Sequence, residues 1–291
     1  MKVRIGLTAL ALVMSGPAFS QEVVNVFNWS DYIADDTIAK FEAETGIRVV
    51  YDVYDSNDVL EARLLAGSSG YDVVVPTSSY LARQIPAGAY QPLDMSRIPN
   101  AAGLDEKLMA AVAAHDPGNE HAVIYMWGTN GIGYNVQMVA DRLGEDAPTD
   151  SWSLVFDPQY ASQLADCGIS FLDSSSDMFP VALQYLGLDP HSTDEAELER
   201  AAELLESVRP HVRYFHSSQY ISDLANGETC VAIGWSGDVL IAMDRAAEAG
   251  QGVELAYTIP KEGTIEWFDM MAIPADAPNP DNAHAFINFI L

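Results

Sequence analysis

Residues 23–75 read VVNVFNWSDYIADDTIAKFEAETGIRVVYDVYDSNDVLEARLLAGSSGYDVVV. The run 23–28 is apolar and β-branched, which predicts a strand. Asp35 offers an N-cap for a helix through residue 44, and Gly46 stops it. Residues 47–53 predict a second strand. Ser56 caps a helix ending at Gly67, residues 71–75 predict a third strand, and 77–84 a short helix. This βαβαβ order places the chain in the α/β class, with a largely parallel sheet and crossover helices.

The same alternation continues outward. Residues 123–135 read as extended, interrupted by Gly128, Gly131 and Gly133. Strands are expected over 169–172, 212–215 and 230–235, helices over 177–186, 195–208, 218–225 and 239–249, and an extended stretch over 253–259. The glycine-bearing stretch 128–133 and the stretch 254–262 are the natural crossings between two lobes. The division expected is a first lobe of 21–130 with 260–291 and a second of 131–259. That topology leaves a cleft between two α/β lobes, a preferred place for a ligand.

Three clusters share one pattern: Trp29-Ser30-Asp31-Tyr32, Trp235-Ser236-Gly237-Asp238 and Trp267-Phe268-Asp269. Each sets a Trp two or three residues before an Asp, and the first two follow predicted strands. The set suits an alkyl diamine. An aliphatic stem packs on aromatic faces, and each ammonium group brings three donors that want carboxylates. A cation over an indole gains about 0.5–2 kcal/mol, while burying it without a counter-charge is prohibitive. Asp238 has a second reading, as the cap of a helix starting at Val239.

Catalytic and metal signals are thin. Gly234-Trp235-Ser236-Gly237 lacks the spacer of a nucleophile elbow. Gly131-Ile132-Gly133 is followed by Val136, so a dinucleotide fingerprint fails. His211 and His216 have no recognised zinc spacing, and His216-Ser217-Ser218 reads as a loop and helix cap. No cofactor, metal site or catalytic residue is assigned.

The first twenty residues stand apart: a basic start at Lys2 and Arg4, an apolar run, then Ala18-Phe19-Ser20. This is expected to be a signal peptide cleaved after Ser20, since the run is far short of the roughly 20 residues of a spanning helix. The net charge of −28 becomes −30 once Lys2 and Arg4 leave. Such acidity disfavours nucleic acid and permits a cationic ligand. Cys167 and Cys230 could form one disulfide in an oxidising compartment, or remain two separate thiols.

The stretches FNWSDYIADDTIAKFEAETGIRVVYDVYDSNDVLEARLLAG, YDVVVPTSSYLARQ, YMWGTNGIGYN, FHSSQYISDLANGETCVAIGWSGD and TIPKEG resemble the periplasmic putrescine/spermidine-binding proteins of ABC importers. The resemblance spans nearly all of the chain after residue 20 and is nearest the putrescine-binding branch. It implies a two-lobed clamshell of the type II periplasmic-binding-protein fold, a polyamine ligand, a membrane permease as partner, a periplasmic location, a monomer, and no enzymatic activity. Carried over by position, Trp29, Ser30 and Tyr32 would form one wall with Asp31 beside them. Thr77 and Ser79 would offer hydroxyls. Asp177 stands where the family usually has the longer Glu. Trp235 and Asp238 would supply the second lobe's contacts, Trp267 and Asp269 would close the box, and Cys167 would pair with Cys230.

Trp267 matches the spermidine binders and Ser79 does not, so the resemblance leaves putrescine and spermidine both open. Binding of another small cation, or a secreted hydrolase on the same fold, are the alternatives. Residues 281–291 read as a helix that stops mid-pattern, and family members continue for several tens of residues. The chain is therefore expected to be C-terminally truncated, with a further aromatic binding residue in the missing part.

Overall fold

A computed structural model describes residues 21–291. The expected signal peptide lies outside the described residues. Among the described residues nine strands are present: β1 (Val23–Trp29), β2 (Arg48–Tyr54), β3 (Val73–Val74), β4 (Ala122–Asn135), β5 (Ile169–Phe171), β6 (Tyr214–Phe215), β7 (Val231–Trp235), β8 (Leu255–Thr258) and β9 (Glu266–Ala272). They run in the order β2-β1-β3-β9-β4-β7-β5-β6, with β8 also beside β4.

The opening βαβαβ unit forms, but Asp35 does not cap its first helix: the N-cap is Asp36, whose side chain makes no capping hydrogen bond, and the helix starts at Thr37. β1 pairs parallel to β2 and to β3, and helices Thr37–Thr45 and Asn57–Leu65 make the crossovers. Gly46 ends the first helix in the left-handed conformation at φ 74°, which glycine adopts without a Cβ penalty. The Ser56 side chain caps the second by accepting the Val59 N–H.

The sheet as a whole is mixed rather than largely parallel. β9 pairs antiparallel with β3 and β4, and β7 and β8 pair antiparallel with β4. β9 is the strand missing from the sequence reading, which also lacks the helices Glu106–Val112, Val136–Leu143 and Pro158–Leu164. Its text, EWFDMMA, has no clean apolar alternation, because its residues are buried on both faces between β3 and β4.

The buried apolar residues form two clusters. One draws on residues 24–124 and 268–287, the other on residues 132–255. This is a two-lobed α/β fold, and β4 runs through both halves. Its first part, 122–129, pairs with β9, and its second part, 130–135, pairs with β7 and β8. The glycines at 128, 131 and 133 do not interrupt the strand. They make room for side chains from neighbouring elements: a Cβ on Gly131 would lie 2.4 Å from the Tyr257 ring, and one on Gly133 2.8 Å from Val239.

Cys167 and Cys230 are buried and joined as a disulfide with a Cα–Cα distance of 5.5 Å. Helix Pro280–Ile290 packs Phe286 and Ile287 into the first cluster, where Phe41 meets Phe286 and Phe289 edge-on. No helix among the described residues is long and apolar enough to cross a membrane.

Candidate functional site

A cavity of about 350 Å³ lies between the two lobes. β1 delivers Trp29 to it at its C-terminal end, β7 delivers Trp235, and β9 delivers Trp267 and Asp269. The two indoles from opposite lobes, Trp29 and Trp235, meet edge-on with centroids 6.0 Å apart. Trp29 Nε1 donates to the Val75 carbonyl at 2.9 Å, fixing its ring.

Two carboxylates anchor the site. Asp269 is 5% exposed. It accepts the Tyr32 hydroxyl at 2.7 Å on one oxygen and the Thr77 hydroxyl at 2.7 Å on the other. Burial, with Asp177 and Asp238 adding like charge, pushes its carboxyl up to about 7 against the opposing hydrogen bonds. Asp238 is 9% exposed and accepts the Tyr220 hydroxyl at 2.7 Å. Burial pushes it up to about 7 as well, with Asp31 adding repulsion and Arg245 relieving it. Burial and the neighbouring carboxylates hold the Tyr32 and Tyr220 phenols far above their ordinary value, so both stay protonated as donors.

Asp238 is not a helix cap. The helix Ser236–Ala249 starts three residues before Val239, and Asp238 lies in its first turn. That turn faces Tyr220, which a Cβ at Gly234 would strike at 2.5 Å. The glycine lets the phenol reach the carboxylate.

Asp177 lines the cavity from helix Ser175–Tyr185, but its oxygens are already engaged. It accepts Asn130 Nδ2 at 2.9 Å, Trp235 Nε1 at 3.2 Å and the Ser174 hydroxyl. In this arrangement it holds the Trp235 ring. Ser30, Tyr32, Thr77 and Ser79 are all on the cavity wall. Asp31 is not. Its backbone is left-handed at φ 54°, and its carboxylate leaves the cavity to meet Arg245 Nη2 at 2.6 Å, across the gap between lobes.

Several lining residues were not singled out from sequence, among them Tyr54, Asp55, Asn57, Tyr80, His115, Ser217 and Glu266. Tyr54 and Asn57 flank the Ser56 cap, so the end of β2 could have been read as a strand exit like that of β1. His115 carries no sequence signal, and Ser217 reads in the sequence only as part of a loop before a helix cap. The lining includes one basic side chain with a permanent charge, Arg83, and it is bidentate to Glu61 at 2.8 Å. No group of three or more metal-binding side chains occurs among the described residues.

A profile of the bacterial extracellular solute-binding proteins matches residues 36–291. The chain belongs to that family. It is 56% identical to the putrescine-binding periplasmic protein SpuD of Pseudomonas aeruginosa, over all of this chain and 81% of that protein. It is 53% identical to the putrescine-binding periplasmic protein PotF of Escherichia coli, over 98% of this chain and 78% of that one. Among solved structures it superposes on a putative spermidine/putrescine ABC transporter protein from Listeria monocytogenes with a TM-score of 0.81 and 33% identity, covering 92% and 77% of the two chains. The two-lobed fold is therefore that of periplasmic solute-binding proteins, and the family's members bind and deliver solutes rather than turn them over.

Proposed function

We propose that this protein is the periplasmic substrate-binding component of an ABC importer, taking a polyamine, putrescine or spermidine, into the inter-lobe cavity and handing it to a membrane permease. The observation that carries the reading is the pair of buried carboxylates. Asp238 and Asp269 have hydroxyl partners, but neither forms an ion pair among the described residues. Burial pushes each carboxyl up to about 7. A dication with an aliphatic stem supplies a charge for each, and Trp29, Trp235 and Trp267 supply apolar walls for the stem.

The names of the relatives, which state putrescine binding and a periplasmic location, support the same ligand class and compartment here. The disulfide fits an oxidising compartment. In this reading residues 21–130 with 260–291 form one jaw and 131–259 the other, the protein acts as a monomer, and residues 1–20 are its export signal. Ser30, Tyr32, Thr77 and Ser79 serve as polar wall, and Asp177 orients Trp235.

Calorimetric titration with putrescine, spermidine and spermine tests the proposal. Binding is expected, and Trp235→Ala is expected to weaken it by about ten-fold or more through loss of the cation–π wall. No heat with any of the three, or full affinity in the variant, would sink it.

A further inference from the structure

Asn130 is fully buried, yet its side-chain oxygen has no hydrogen-bond partner among the described residues. A bare buried acceptor is unfavourable, so an apolar residue of the same size would cost less here unless the amide has a use. Asn135, at the end of the same strand, has an evident one: it caps the next helix by accepting the Met138 N–H at 3.0 Å. Asn130 caps nothing. Its side chain makes one hydrogen bond among the described residues, from Nδ2 to Asp177 Oδ1 at 2.9 Å. That carboxylate sets the amide's orientation, since the reverse would bring two acceptor oxygens together.

The sheet register explains the contact. β4 and β7 run antiparallel with Asn130 directly opposite Trp235. Residues opposite each other on neighbouring strands project from the same face. The amide and the indole therefore leave the sheet side by side, and both end on one oxygen, with Trp235 Nε1 donating to Asp177 Oδ1 at 3.2 Å. The Ser174 hydroxyl donates to the other oxygen. The Asn130 backbone is fixed in turn. Its N–H donates to the Ile265 carbonyl at 3.3 Å, and its carbonyl accepts the Thr264 hydroxyl at 2.8 Å. Asn130 thus ties Asp177 to the sheet, and Asp177 holds the indole. Asn130 itself is not part of the cavity wall.

The geometry points to Asn130 as a positioning residue, which sets the Trp235 wall of the cavity by holding Asp177 and does not touch the ligand. Its effect on affinity rests on the polyamine reading above; its effect on the ring does not. A neutral donor suits this task. Lysine or arginine would grip the carboxylate more strongly but would bring a positive charge next to a cationic ligand. The amide gives a hydrogen bond to a charged group and adds no charge.

The test is a double-mutant cycle on the full chain: the parent, Asn130→Leu, Asp177→Ala and the two together, each titrated with putrescine. Leucine keeps roughly the volume of the amide and removes its donor. Asn130→Leu alone is expected to weaken binding by about three- to ten-fold. In the Asp177→Ala background it is expected to cost under about two-fold, because the group it acts through is gone. Unchanged affinity in the single variant overturns the proposal. So does an equal loss in both backgrounds, which makes Asn130 a packing residue. A second readout is the indole N–H proton resonance of Trp235 in the ligand-free protein, identified by its absence from Trp235→Phe. It is expected to shift in Asn130→Leu, and an unmoved resonance overturns the proposal whatever the titrations give. If Asn130→Leu does not fold, Asn130→Ala removes the same donor and the same outcomes decide. A parent protein that binds neither putrescine nor spermidine refutes the polyamine reading, and the resonance alone then decides whether Asn130 places the ring.

Discussion

Asp269 and Asp238 set the pH behaviour of the site. Only their ionised forms match an ammonium, and both carboxyls sit at about 7 in the ligand-free cavity. Below that pH the free protein must give up protons on binding, so affinity is expected to fall as pH drops through 7. The limiting slope is about 1.4 kcal/mol per pH unit for each carboxylate. Calorimetry at pH 7 in two buffers of different ionisation enthalpy should show proton release; identical heats would count against it. Stability runs the other way. A carboxyl raised on folding contributes stability that is full below its usual value of 3.8 and lost as pH rises through about 7. Asp238→Asn is therefore expected to raise the ligand-free melting temperature at pH 8 while abolishing polyamine binding. A lower melting temperature at pH 8 would show that the carboxylate is structural. The acid residues of the site were legible because Trp–Asp clusters at strand exits have one economical chemical use. Their protonation was not, because it depends on burial, which other segments of the chain impose against the opposing tyrosine hydrogen bonds.

At the scale of elements, β4 and the helix Ser236–Ala249 carry the contacts between lobes. Gly128 on β4 stands opposite Trp267 on β9. A Cβ there would lie 2.5 Å from the Trp267 ring and 2.5 Å from the Ser236 hydroxyl. Gly128→Ala is expected to displace the indole and weaken polyamine binding by about ten-fold, with far-UV circular dichroism unchanged; unaltered affinity would mean the ring relocates freely. The Asp31–Arg245 pair joins the lobes outside the cavity, with both side chains about 40% exposed. A half-exposed pair contributes about 0.2–1 kcal/mol. Arg245→Ala is thus expected to speed ligand dissociation by about two- to five-fold, an effect that 0.5 M salt should erase in the parent protein. Stopped-flow release measurements check this, and a change that persists in salt would point elsewhere. The cluster Trp29–Tyr32 suggested Asp31 as part of the cavity wall. A left-handed turn at one residue sends it instead to a partner 214 positions away, and no local pattern announces that.

For the whole molecule, the disulfide ties the start of β5 to the start of β7 within the second core, closing a loop with a sequence separation of 63. In the chain-entropy model this is worth about 4 kcal/mol. The double variant Cys167→Ser with Cys230→Ser is expected to lose stability by about 2–4 kcal/mol in urea unfolding of the ligand-free protein, while keeping its ligand preference, since neither cysteine lines the cavity. A stability loss within error would show that the folded second lobe holds the thiols together without the bond.

By itself the sequence determined the α/β class, the opening βαβαβ order and the three Trp–Asp clusters, because strand patterns and the spacing of aromatic and acidic residues are local properties. Only the tertiary structure decided the mixed sheet, the central strand β9, the engagement of Asp177 with Trp235 and the turning-out of Asp31. Each of these depends on which remote segment packs alongside, and burial, hydrogen-bond satisfaction and charge are set by that neighbour rather than by adjacent residues.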